Sequence, residues 1–446
     1  MIIDHGKIIT WEKRNRILEG HAICINGEKI QEIGPRERLL AKYPQEDIVD
    51  AAGQYVMPGN ICSHTHFYGA FSRGLSIPGA APQDFPEILE KLWWPLDKSL
   101  DEQAVRYSAL VCMLDAIRHG TTTLVDHHAS PNAIEGSLDC IAEMGLKSGL
   151  RIATCYEVTD RDGIEKATAG IKENIRFLRK LQKHPNNRLA ALFGLHASLT
   201  LSDETLTECR EQAPNGVGFH IHVAEHPVDE YDSLVKSGMR VVDRLHRHGI
   251  LGDRTIVAHA VHVDAREIEL LADTGTWVTH QTRSNMNNAV GMAEIESMMR
   301  AGVRVGLGND GFSNAMWEEW KAAYLAHKLW HKDPRRVSGY DVVEMAVYNN
   351  AELAAQLFGV ERIGTISTGA PADLIFVDYH PFTQLIPENL PWHILFGFHE
   401  SMITATMVAG QFLMLNRQML TLDAEEISAG AMEISQKVWK EYQSRF

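Results

Sequence analysis

The sequence predicts an α/β protein, a (β/α)8 barrel accompanied by a β domain to which both chain ends contribute. Three observations carry this. From about residue 58 to 360, strands alternate with amphipathic helical stretches in about eight units, the mark of a parallel sheet with crossover helices. Short alternating segments broken by turn signals flank that region on both sides. Histidines and acidic residues gather at the predicted strand ends, where barrels of this kind place their chemistry. An open doubly wound sheet satisfies the same periodicity and is the alternative.

Residues 1–57 read as one part of the β domain. Lys7–Thr10, His21–Ile25 and Lys29–Gly34 alternate in hydrophobicity, and Asn26-Gly27 between two such runs is a hairpin signal. Barrel strands are expected at Pro58–His66, Thr122–Asp126, Arg151–Tyr156, Leu189–His196, Gly218–Val223, Thr255–His259, Thr276–His280 and Val303–Gly308. Helices are expected at Glu102–His119, Gly136–Ser148 and Ile164–Lys183, among others. Residues 361–422 return to β character, with a strand at Gly369–Val377 and a hairpin at Thr406–Met414. Residues 423–446 close the chain with an amphipathic helix carrying Ile427, Met432, Ile434, Val438 and Trp439.

Composition narrows the function. The 446 residues are 45% hydrophobic and 23% charged, an ordinary globular balance. A formal charge of -15 opposes binding to phosphate backbones, so no nucleic-acid partner is expected. No run reaches the roughly 18 apolar residues of a membrane span. The six cysteines are scattered without a C-x-x-C pair, which suggests a reducing, cytoplasmic setting rather than disulfides or a thiolate zinc site.

The 22 histidines are where the chemistry is sought. His64 and His66 lie two apart on a strand and so share a face. They begin a metal site, or they are surface histidines in a turn after Pro58-Gly59. His222 is followed three residues later by Glu225, His259 ends the next strand, and Asp310 follows the last. Three imidazoles and one carboxylate from different strands can hold one divalent ion and leave room for water. His220 shares the face of His222, but the spacing to Glu225 favours His222 as ligand. Other designs fail: Gly306-Leu307-Gly308 lacks the third glycine of a dinucleotide loop, and neither H-E-x-x-H nor H-x-E with P-C-x-x-C occurs.

These motifs, with Ser284-Asn285, Asn309-Asp310-Gly311 and the late strand Gly369–Leu374, resemble the amidohydrolase superfamily in its cytosine/guanine deaminase and chlorohydrolase branch. The likeness covers nearly the whole chain. It implies a distorted TIM barrel, a composite β-sandwich domain, and one divalent ion, zinc first and iron second. Residue by residue, it makes His64, His66, His222 and Asp310 the metal ligands. Glu225 and His259 become the proton carrier and the hydroxide-orienting group, with Asp310 taking the water's proton. His196 is expected to contact substrate.

Binuclear members carry a lysine at the end of strand four; Leu192–Ala197 has none, so a single ion is expected. The loop Gln281-Thr282-Arg283 departs from the branch, so substrate identity is not transferable. Asn285 and Arg283 are taken as substrate contacts, Arg283 pairing with an acidic substrate group or with a protein carboxylate. Of His127 and His128, His128 is chosen to face the pocket. Core packing is the first reading of Trp93 and Trp94, stacking on a flat ring the second.

The implied reaction is hydrolytic deamination of a purine- or pyrimidine-like ring. The alternatives are ring opening of a cyclic amide, a chlorohydrolase-type reaction, or a non-catalytic binding relative. The expected partners are a small heterocyclic substrate and a second copy of the chain in a dimer, with no membrane.

Overall fold

The computed structural model describes residues 1–446. Eight parallel strands follow one another as predicted: Asn60–Thr65 (β1), Thr121–His128 (β2), Arg151–Tyr156 (β3), Phe193–Ala197 (β4), Phe219–Val223 (β5), Ile256–His259 (β6), Trp277–His280 (β7) and Val305–Leu307 (β8). They form two arcs rather than one continuous ladder. β1, β2 and β3 run into the short strand Leu189–Ala191, and β4 to β8 make the second arc.

The predicted strand Leu189–His196 is therefore two strands that break at Leu192. The amide of Leu192 still donates toward Thr154 of β3, whereas that of Phe193 donates to Gly218, beside β5. An isolated parallel bridge between Val158 and Leu195 joins the arcs there. At the opposite seam no ladder pairs β1 with β8. The amide of Asn309 donates to His64 O at 2.9 Å, and Asn350 Nδ2 donates to both Ile61 O (2.7 Å) and Leu307 O (2.9 Å). Gly308 makes this approach possible, because a Cβ there would lie 2.7 Å from His64 O.

Both chain ends enter one seven-stranded sheet. Tyr55–Pro58 pairs in parallel with Lys7–Ile9 and antiparallel with Leu374–Val377, then passes through Gly59 straight into β1. A four-stranded sheet of Ile2–Asp4, His21–Asn26, Lys29–Pro35 and Ile48–Asp50 packs against it through Ile3, Ile23, Ile25, Val56, Leu374 and Met407. The expected hairpin pairs Asn26 with Lys29, with Gly27 at φ 58° in its turn. Asp373 fastens this unit to the barrel: buried Arg151 on β3 donates Nε to Asp373 Oδ2 at 2.6 Å and Nη2 to Oδ1 at 3.1 Å.

The final helix, Ala424–Gln443, starts at Asp423, whose carboxylate accepts from the amides of Glu425 and Glu426. It buries Ile427, Ile434, Val438 and Tyr442, while Met432 is exposed. This helix braces a neighbouring helical segment. In the helical segment Phe85–Asp97, Pro95 has no N–H for the carbonyl of Lys91, and the ladder widens into a π turn at Leu89–Trp93. The freed Lys91 carbonyl accepts the Tyr442 hydroxyl instead, and Trp439 Nε1 donates to Phe71 O at 2.8 Å. No helix is long and apolar enough to cross a membrane.

Candidate active site

Alternation along β1 aims both His64 and His66 into the barrel mouth, and the end of β5 brings His222 opposite them. Asp310 arrives from the loop after β8 in a left-handed conformation, φ 55°, with Gly311 at φ 86° behind it. His259 and Ala224, beside Glu225, also have positive φ, 72° and 48°. Non-glycine residues held in this region are costly and concentrate at working sites.

The result is a tight cluster. Asp310 Oδ1 lies 2.9 Å from His64 Nε2 and 3.0 Å from His66 Nε2, and His66 Nε2 lies 3.1 Å from His222 Nε2. Donors of a tetrahedral zinc ion stand roughly 3.3 Å apart when each bond is about 2.0–2.1 Å. The ring orientations also suit an ion. His66 Nδ1 donates to His127 O at 2.6 Å and His222 Nδ1 to His196 O at 2.8 Å. A carbonyl only accepts, so both rings carry a proton on Nδ1 and turn Nε2 toward the ion position. Burial opposes a second proton on His66, but Asp310 and Glu157 hold that ring well above the usual imidazole range, so its Nε2 would release a proton to an ion.

Burial suppresses protonation of His64 and His222, to about 3 and about 4, keeping both imidazoles neutral as ligands must be. Burial also opposes ionisation of Asp310, but His259 and the rings of His64 and His66 outweigh it, holding the carboxyl well below its usual range. The donor set fits one divalent ion.

Glu225 and His259 stand at the edge of the cluster. His259 Nε2 is 3.5 Å from Glu225 Oε2 and 3.7 Å from Asp310 Oδ2, and its Nδ1 donates to Asn285 Oδ1 at 2.9 Å. Burial raises the Glu225 carboxyl to about 7, which lets it gain or lose a proton near neutrality. Asn288 Nδ2 donates to its Oε1 at 3.3 Å, and Ser284 Oγ donates to Asp310 Oδ2 at 2.5 Å.

Above the cluster lies a cavity lined at its floor by His66, His196, His222, Glu225 and Asp310. Trp93, Trp94, Tyr68, Phe85 and Leu89 form an apolar wall, so the two tryptophans face the cavity as well as packing on the core. The His196 ring is held at the floor by Thr200, whose Oγ1 lies 2.7 Å from Nδ1.

Three predicted contacts fall elsewhere. Asn285 does not line the cavity and instead holds His259. His128 is wholly buried with Nε2 on Ser130 Oγ at 2.9 Å, whereas His127 lies against the histidine cluster, 4.8 Å from the His222 ring. Arg283 is turned away: its Nε pairs with Glu319, Nη1 with Glu318 Oε2 at 2.8 Å, and Nη2 donates to Ser313 O at 2.8 Å. Glu319 is fully buried, so Arg283→Ala is expected to cost about 3–5 kcal/mol by stranding that charge. Urea unfolding should report the loss, with the substrate KM nearly unchanged; a raised KM at unchanged stability would return Arg283 to the substrate.

Sequence reasoning missed Glu157, one residue past β3. This buried carboxylate lies 3.3 Å from His66 Nδ1, 3.4 Å from His127 Nδ1 and 3.8 Å from His196 Nε2. Burial alone would raise it, but His66 and His196 outweigh burial and hold it at about 2. The rule that placed the other carboxylates, a polar residue at a strand's C-terminal end, points to it as well.

Residues 55–413 match the model of the Amidohydrolase family. The chain belongs to the amidohydrolase family. As such it is a metal-dependent hydrolase of carbon–nitrogen bonds other than peptide bonds. This amidohydrolase is 31% identical over 444 residues to a 5'-deoxyadenosine deaminase of Methanosarcina mazei, spanning 98% of both chains. It is 29% identical over 415 residues to a 5-methylthioadenosine/S-adenosylhomocysteine deaminase of Moorella thermoacetica, covering 91% of this chain and 92% of the relative. In fold it matches a zinc-bound adenosine deaminase from Xanthomonas campestris with a TM-score of 0.85 at 22% identity, over 98% of each chain. A zinc-complexed atrazine chlorohydrolase from Arthrobacter aurescens matches with a TM-score of 0.80 at 22% identity, over 97% of this chain and 99% of that one.

Proposed function

We propose that this amidohydrolase deaminates an adenosine-like purine, replacing the ring amino group with oxygen and releasing ammonia. The observation that carries the reading is the place of Glu225: at the cavity floor, three residues past His222, with its carboxyl raised to about 7. Hydrolytic deamination needs a group that protonates the ring nitrogen and then the departing amine, and Glu225 is poised to do both. The full-length likeness to two purine-nucleoside deaminases supports the same substrate class.

His64, His66, His222 and Asp310 would hold the ion, and zinc suits three imidazoles and one carboxylate in this geometry. A divalent ion there supplies Lewis acidity that brings the pKa of its water toward ~7. Asp310 Oδ2, on the side of His259 and Ser284, is placed to take a proton. His259 can orient the attacking oxygen from Nε2, its ring fixed by Asn285. The walls Trp93, Trp94 and Phe85 offer flat apolar faces.

The test is ammonia release by zinc-loaded protein across adenosine, 5'-deoxyadenosine, 5'-methylthioadenosine, S-adenosylhomocysteine, guanine, cytosine, a cyclic amide and a chlorotriazine. Ammonia from the adenosine derivatives is the expected result. Ring opening or chloride release without any ammonia would overturn it. A homo-oligomer is supported by Leu325, Leu329 and Trp330, exposed together on the helix Met316–His331; light scattering decides it.

A further inference from the structure

Of the three histidines assigned to the ion, two give their Nδ1 protons to backbone carbonyls. His64 does not. Its Nδ1 lies 2.9 Å from His220 Nε2, and both rings are fully buried. His220 can accept there only if its own proton sits on Nδ1, which faces Cys155 Sγ at 3.9 Å. His127 stacks flat on His220, with ring centroids 4.3 Å apart and planes 16° apart.

We propose that His220 is a positioning residue for the ion site: its Nε2 accepts the Nδ1 proton of His64 and thereby keeps His64 Nε2 bare. The proposal rests on the reading of His64 as a ligand. The tautomers form one consistent series, His64 Nδ1–H to His220 Nε2, then His220 Nδ1–H to Cys155 Sγ. Were His220 protonated on Nε2 instead, two N–H groups would meet. His64 would then have to carry its proton on the very nitrogen that binds the ion. A carbonyl cannot fail in this way; an imidazole can.

The same proton accounting decides what lies beneath. His127, Cys155 and His220 are close enough to suggest a second ion, and neither nitrogen of His127 has a hydrogen-bond partner. An ion on His220 Nδ1 would drive the proton to Nε2 and against His64. The lower cluster therefore supports the upper site and holds no ion of its own.

The experiment measures zinc affinity by competition with a chromogenic chelator, on full-length protein. Absence of zinc binding by the wild type would refute the ligand reading itself, a different failure. His220→Leu, which removes the acceptor, should weaken zinc by about 10–100-fold. His220→Gln, whose amide oxygen still accepts, should stay within about threefold of wild type on the same scale. The thermal midpoints of the chelated proteins should coincide, separating this role from general packing.

If His220→Leu does not fold, Cys155→Val and Cys155→Ser give the answer. Val should weaken zinc by releasing the His220 tautomer, whereas Ser should not. Wild-type affinity in His220→Leu or Cys155→Val, equal loss in the Gln and Leu variants, or two zinc ions per chain would overturn the proposal.

Discussion

Glu225→Gln is expected to bind zinc like the wild type and to lose turnover by about 10²–10⁴-fold, the usual contribution of a general acid–base group. The substitution keeps the shape of the side chain. Its amide oxygen can still accept from Asn288 Nδ2, which lies 3.3 Å from Oε1, and His259 Nε2 remains 3.5 Å from the other terminal atom. What disappears is a proton that can leave and return. Burial places that proton at about 7, and an amide has nothing equivalent near neutrality. Elemental analysis would report one zinc per chain in both proteins, and ammonia release would separate them. His64→Ala should lose the ion and turnover together. Near-normal turnover in Glu225→Gln would remove the proton-carrying role and leave Asp310 as the candidate.

The candidate ligand cluster is legible in the sequence because strand alternation and the C-terminal-end rule are local, and because histidine is scarce enough for its spacing to be informative. His64-Thr65-His66 follows from period two alone, whereas Glu225 lies past the end of β5 and is turned toward the site by the left-handed residue Ala224. What stays hidden depends on pairing. Ala191 is still in register with Thr154 of β3, whereas Phe193 already pairs with Phe219 of β5. The change of partner falls on Leu192, inside one apolar run, and nothing in Leu189–His196 marks the break.

The other departures have reasons of the same kind. Trp93 and Trp94 sit in an apolar run, and a run of that sort cannot tell a core wall from a cavity wall, since both are shielded from bulk water. Arg283 finds its partner in Glu319, on a helix 36 residues later, a distance over which the sequence carries no pairing signal. No histidine stands at a telling interval from Glu157 along the chain. Its partners His66, His127 and His196 come from three different strands or their ends and meet it only in space.

Withdrawing the ion with a chelator is expected to abolish turnover, and added zinc should restore it. Stability should fall as well. A ligand that binds only the folded chain stabilises it by about 2.7 kcal/mol at a hundredfold excess over its Kd. The structural reason lies in Asp310. Its backbone is held at φ 55°, its Oδ1 stands 2.9 and 3.0 Å from two imidazole nitrogens, and burial opposes its charge. A positive ion at that point relieves a charge that the protein otherwise balances with histidines alone. Asp310→Asn serves as the control, because it keeps the side-chain shape while removing the charge that holds the ion. Its thermal midpoint should respond to added zinc far less than that of the wild type. An equal response in both proteins would move the ion away from Asp310, toward the histidines His64, His66, His127 and His222, whose ring nitrogens also converge.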